Sequence, residues 1–263
     1  MNIQTVRTPS FTMEYVRFGS GEKHFVILPG LSVQSVLISA HAVAAAYKSF
    51  TQDYTVYLFD RRKNVPAGYT VHDMAQDTAA AMRTLGLKGM CLFGASQGGM
   101  IAMDIALESP DLVQKLALVS TTARLTDERY QVIGNWADLA RAGSAQDLYL
   151  AFGETIYPPG VFSQMRDALV QMAGTVTAEE MDRFAILAEA SKGFDVADAL
   201  GKISCPVLVT GSRDDKVFGE SASGELAQAI PGAELYMYDG YGHAVYDTAP
   251  DFAGRMLRFF QQT

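Results

Sequence analysis

Along this chain the spacing of apolar residues switches repeatedly between a period of two or an unbroken run and a helical period, and the switches divide it into elements. Residues 13–18 alternate and stop at Gly19-Ser20-Gly21, which predicts a strand and a hairpin turn into the apolar run 24–28. Ala-rich spacing then predicts a helix over 38–50, followed by a buried strand over 54–59. Thr70, with Asp73 three residues on, reads as the N-cap of a helix running to about Leu85 and stopping at Gly86. An apolar run through Gly94 leads directly into good helix formers as far as Glu108, and a further strand is expected over 115–120. This rhythm of strand and helix needs crossover connections. It predicts an α/β fold with a mostly parallel sheet and helices on both faces.

The rhythm breaks at Thr121. Up to Phe194 the spacing predicts only helices, over 126–141, 145–154, 161–172 and 178–190, the last with a Thr177/Glu180 capping box and Gly193 as its stop. Strand spacing returns at 206–211 and 234–238, separated by a helix over 220–230, and a final amphipathic helix is expected over 245–260. The chain therefore divides into a core of 1–121 and 195–263, with an all-helical cap of 122–194 inserted between two strands of its sheet.

Composition narrows the function classes. Hydrophobic residues make up 49% of the 263, charged residues 19%, and the net charge is −8, so a nucleic-acid partner, which would want a basic face, is not expected. No apolar run is long enough to span a membrane, and the first residues lack the basic-then-apolar pattern of a secretion signal, so a cytoplasmic location is the default expectation. Cys91 and Cys205 sit in or beside strand patterns and read as buried small hydrophobes; no spacing suggests a metal site, and no cofactor is expected. A small-molecule substrate is expected; oligomeric state is not readable.

The candidate chemistry centres on Gly94-Ala95-Ser96-Gln97-Gly98 at the strand-to-helix junction. A serine in so sharp a turn needs small neighbours and stands out from the sheet edge, at a helix N-terminus whose free N–H groups favour negative charge. Of the four histidines, His24, His41 and His72 fall at strand or helix positions; His243 lies in the glycine-flanked loop Asp239-Gly240-Tyr241-Gly242-His243 after a strand, where a general base belongs. Two aspartates follow the preceding strand in Gly211-Ser212-Arg213-Asp214-Asp215. Asp214 is taken as the group that orients His243, with Asp215 as the alternative. The backbone N–H groups of Gln97 and of Leu31, after Pro29-Gly30, are the expected oxyanion donors.

Taken together, these residues resemble the α/β-hydrolase fold family over nearly the whole chain. Pro29-Gly30-Leu31 resembles its oxyanion loop with proline in place of histidine, Asp60-Arg61-Arg62-Lys63 its Asp-x-Arg-Gly turn without the glycine, Gly211-x-x-Asp214-x-x-Val217 its acid loop, and Gly242-His243 with Asp247 and Pro250 its histidine loop. The resemblance implies a serine hydrolase with triad Ser96, Asp214 and His243 working through an acyl-enzyme, with the helical insert as a cap that sets specificity. Gly30, Trp136, Phe152 and Tyr157 are expected to contact a small to medium apolar ester. Carbon–carbon bond hydrolysis, thioester or lactone hydrolysis and acyl transfer on the same triad stay open, as does a capped binding protein without catalysis. Serine at the nucleophile position argues against haloalkane dehalogenation.

Overall fold

Six parallel strands carry the fold: β3 (Lys23–Leu28), β4 (Tyr54–Arg62), β5 (Met90–Ala95), β6 (Val113–Val119), β7 (Val207–Ser212) and β8 (Glu234–Tyr238). β1 (Gln4–Arg7) and β2 (Thr12–Phe18) add an antiparallel edge, giving the order β1-β2-β4-β3-β5-β6-β7-β8 in a computed structural model that describes residues 1–262. β5, at the centre, is buried along its whole length because it is apolar on both faces, as a strand covered on both sides must be.

Two apolar clusters lie on the two sheet faces. On one, α10 (Phe252–Gln261) and the residues flanking α1 (Ala40–Ala46) pack Phe252, Met256, Leu37 and Tyr47 onto Phe25, Phe93 and Ala95. On the other, α2 (Val71–Thr84), α3 (Gln97–Glu108) and α8 (Ser221–Ala229) cover Val26, Leu92 and Leu118. Thr70 and Asp73 close both halves of a capping box at the start of α2, as the sequence predicts.

Between β6 and β7 lie α4 (Asp127–Arg141), α5 (Ala145–Ile156), α6 (Pro159–Ala173) and α7 (Ala178–Glu189), the last opened by the Thr177/Glu180 box. The chain enters and leaves this helical segment through a narrow neck. Leu125 N–H donates to Phe194 C=O at 2.8 Å, Val196 N–H to Ala123 C=O at 2.8 Å, and Arg124 pairs with Asp195 at 2.6 Å.

Three local expectations are corrected. Gly19-Ser20-Gly21 is not a hairpin: β2 pairs with β4 and β1, never with β3, because Ser20 N–H and Lys23 N–H are captured by the Thr51 and Asp53 carbonyls ahead of β4. The helix over 38–50 is broken into a 3-10 turn, the short α1 and a second 3-10 turn. The last helix is also split, into α9 (Val245–Thr248) and α10, because Pro250 has no N–H to continue the ladder. β1, only four residues long, has too short a pattern to be read from sequence.

Candidate active site

Ser96 sits where β5 hands the chain to α3, with φ 52° and ψ −122°, a left-handed conformation rare for a residue with a side chain. The surroundings hold it there. Its N–H donates to Val119 C=O at 2.9 Å, while its carbonyl accepts from Thr121 Oγ1 at 2.7 Å and from Gly99 N–H at 2.9 Å. Any side chain at Gly98 would run into the Leu28 and Pro29 carbonyls, so the elbow closes only with glycine there.

His243 comes to the same sheet edge from the loop after β8. It is buried, and its Nδ1 lies 3.0 and 2.9 Å from the two carboxylate oxygens of Asp215. Asp215 also accepts the Val217 and Phe218 N–H groups at 2.7 and 3.2 Å. Burial alone would raise its carboxyl; the nearby His243 and these hydrogen bonds outweigh burial and hold it below the ordinary carboxylate range. An ionised Asp215 fixes the proton of His243 on Nδ1 and leaves Nε2 as the free base. Ser96 Oγ and His243 Nε2 make no hydrogen bond to one another among the described residues; this contact commonly tightens only when substrate binds.

The assignment of Asp214 to His243 is corrected by this geometry. The Asp214 carboxylate turns the other way, bonding Ser212 Oγ and accepting the N–H groups of Gly240 and Gly242 at 3.0 Å each. It thus clamps the backbone of the histidine loop. The loop also docks on α5: Ala244 N–H donates to Ile156 C=O at 3.0 Å, and Gly242, at φ 64°, approaches that carbonyl too closely for any Cβ.

The expected oxyanion donors flank Ser96. Neither the Leu31 nor the Gln97 N–H meets a protein acceptor among the described residues. A Cβ built on Gly30 would lie 3.1 Å from Ser96 Cβ and 3.7 Å from Ser96 Oγ, so this loop passes directly over the serine. Sequence reasoning missed what braces it. Arg61, at the end of β4, is buried and donates to the Pro29 carbonyl at 2.7 Å, the Gly30 carbonyl at 3.4 Å and Gln97 Oε1 at 3.1 Å. Burial pulls its guanidinium down to about 10, against the opposing pull of Asp60. Gln97 Nε2 then reaches the Leu187 carbonyl and Ser191 Oγ at 2.6 and 2.8 Å, and Arg183 of α7 pairs with Asp60 at 3.2 Å. One polar chain therefore ties both expected oxyanion residues to the helical insert.

The strand order and its crossover helices agree with the comparisons to known proteins. Residues 23–250 match the family described as the alpha/beta hydrolase fold. The chain belongs to the α/β-hydrolase fold family. Among curated relatives it is similar to "Putative carbamate hydrolase RutD" of Agrobacterium fabrum, 28% identical over 198 residues, 74% of this chain and 76% of that one. Among solved structures it is similar to MGS-M2, an alpha/beta hydrolase enzyme from a Medee basin deep-sea metagenome library, with TM-score 0.89 and 21% identity over 99% of this chain and 98% of that one. The enol-lactonase from Burkholderia xenovorans LB400 superposes with TM-score 0.85 at 20% identity, over 98% of this chain and 100% of that one. The chain is a hydrolase of this fold, and no helix among its described residues is long and apolar enough to cross a membrane.

A cavity of about 260 Å³ runs beside the hydrolase elbow, bounded by Gly30, Leu31 and Ala95 next to the serine, by Leu58 and Phe93 of the sheet, and by Phe152 and Tyr157 of the insert. Ala95, next to the serine in sequence, lines it, while Ser96 and His243 do not. Gly30, Phe152 and Tyr157 are thus in the wall, as expected for substrate contacts. Trp136 is not: it is buried behind Phe152, with ring centroids 4.5 Å apart, and stiffens that wall from outside. Helical spacing alone does not distinguish the insert aromatics that face inward from those that do not.

Proposed function

We propose that this α/β hydrolase cleaves carboxylic esters of small to medium size through an acyl-enzyme on Ser96. His243 Nε2 takes the Ser96 proton as Oγ attacks the ester carbonyl, and Asp215 stabilises the imidazolium that forms. The Leu31 and Gln97 N–H groups receive the oxyanion. Collapse of the tetrahedral intermediate expels the alcohol, which takes its proton from His243; water, activated by the same imidazole, then releases the acid. The helical insert acts as the cap, and Gly30, Phe152 and Tyr157 contact the substrate.

The observation that carries this reading is the left-handed Ser96 with an Asp215-held histidine at the same sheet edge and two unspent N–H groups beside it. The cavity does not favour an anionic substrate, because among the described residues no Lys, Arg or His lines it. The RutD relatives, by their name, bring carbamates into the same series.

A fluorophosphonate probe followed by mass spectrometry should place one adduct on Ser96. Nitrophenyl esters of increasing acyl length, assayed beside a lactone and a carbamate ester, should show ester turnover falling by about 10³-fold or more in Ser96→Ala. Full turnover in Ser96→Ala, or no adduct on Ser96, overturns the reading.

A further inference from the structure

The cavity wall is mixed, with Ser32, Gln34, Ser35 and Ser39 on one side and a charge on another. Asp247, in α9, is the only charged side chain lining it among the described residues. No Lys, Arg or His pairs with its carboxylate among the described residues; its side-chain partner is the Tyr157 hydroxyl at a long 3.5 Å. Around it stand Tyr47, Tyr157 and Tyr246, all lining the same cavity. The hydroxyls of all three are pushed up, first by burial and then by the Asp247 charge. Asp247 is exposed where it faces the cavity, yet protein atoms crowd around it, and that crowding raises its carboxyl to about 6. The other charged groups that face this cluster are the Asp215–His243 pair, whose carboxylate also acts on Tyr246.

A carboxylate on a cavity wall with no Lys, Arg or His beside it attracts a cation, and the tyrosines that share the wall are side chains on which an ammonium group also settles. An anionic substrate would meet repulsion here. A neutral hydroxyl could donate a hydrogen bond to the carboxylate but would gain nothing further from its charge.

We propose that this cavity accepts a cation: Asp247, with Tyr47, Tyr157 and Tyr246 around it, holds an ammonium group on the part of the substrate that enters the cavity beside Ser96. The ester reading of Ser96 supplies the reaction, and the cation site deepens it by naming the substrate class as aminoalkyl or quaternary-ammonium esters.

Choline and 3,3-dimethylbutan-1-ol have the same shape and differ in charge, so they test the site without any turnover. Titration calorimetry at pH 8 should show choline binding about tenfold or more tightly than its neutral counterpart. The preference should shrink as pH falls through about 6, where Asp247 takes up its proton. Asp247→Asn should abolish the preference; any pH dependence left in that variant belongs to His243. A kinetic arm compares kcat/KM for acetylcholine and 3,3-dimethylbutyl acetate at each pH, the ratio cancelling the titration of His243. Equal binding of the two alcohols, or a choline preference that survives Asp247→Asn, overturns the proposal. The wild-type pH profile decides the matter if the variant fails to fold. Choline preference without a Ser96 adduct would sink the esterase reading alone; a labelled Ser96 with no preference would sink the cation site alone.

Discussion

The sheet edge around Ser96 and the cavity beside it share a wall but are built in opposite ways. The edge is assembled from short loops, each following its own strand: the elbow after β5, the Asp214-Asp215 turn after β7, the histidine loop after β8 and the Gly30 loop after β3. Glycines spaced along the sequence mark almost every one. The cavity is gathered from the chain before α1, from α5 and α6 of the insert and from α9, segments more than 200 residues apart at the extremes, and no local pattern marks them. Chemistry on this scaffold is written locally, and selectivity arises from tertiary packing.

The sharpest way to break the comparison is to exchange its two adjacent aspartates. Asp215→Asn should lower kcat by about 10⁴-fold, because an amide in place of the carboxylate stabilises the wrong histidine tautomer and leaves the imidazolium unsupported. Asp214→Asn should cost no more than about tenfold, since an amide oxygen can still accept the Gly240 or Gly242 N–H. Ester assays on both variants decide it, and equal losses would mean that the histidine pairs with either carboxylate during turnover.

A smaller effect is expected at Arg61, which touches no substrate-lining surface of the main cavity. Its replacement by Met leaves the Pro29 carbonyl and Gln97 Oε1 without their buried donor and loosens the peptide that presents Leu31 N–H. Since both oxyanion donors stay in the chain, kcat should fall by about tenfold to a hundredfold, less than the loss of a donor outright. KM should change little, and a matching loss confined to KM would assign Arg61 to the cap alone.

How much of this was legible follows from the same division. Ser96, His243, Leu31 and Gln97 lie where their glycine-flanked loops predict, and the parallel sheet with its helical insert follows from the apolar spacing. Asp214 and Asp215 could not be told apart, because a one-residue shift in a turn reverses which side chain faces the histidine; the Val217 and Phe218 N–H groups fix that choice only in three dimensions. Arg61 stands one residue from Arg62 in a polar strand end, and only the fold shows that Arg61 points inward while Arg62 pairs with Asp77 at 3.1 Å. Trp136 and Phe152 lie on neighbouring helices, and which of the two meets the cavity depends on how those helices pack. Asp247 is four residues past His243, yet Tyr47 and Tyr157, which share its cavity, come from distant parts of the chain.

The smallest expected effect tests whether Asp247 is retained for the cavity rather than for the fold. Its carboxyl has an ordinary value of 3.8 and about 6 in the folded chain, so the native state holds its proton to higher pH than the unfolded one. Stability from this group is therefore complete below 3.8, is lost as pH rises through about 6, and stays absent above. Asp215 behaves in the opposite sense: its lowered value gives stability above the ordinary carboxylate range that is lost on acidification. Replacing Asp247 by Asn removes only the alkaline cost. Because the side chain keeps contact with water in the cavity, that cost is discounted to about 1 kcal/mol, an expected rise in Tm of about 2–4 °C at pH 8 and none at pH 4.5. Choline should raise the wild-type Tm at pH 8 and leave that of Asp247→Asn unmoved, since a ligand stabilises only the state that binds it. A variant that melts lower than wild type at pH 8 would make Asp247 a structural residue held by Tyr157. One that melts higher shows a carboxylate kept at the expense of stability, the pattern expected where a charge waits for its partner.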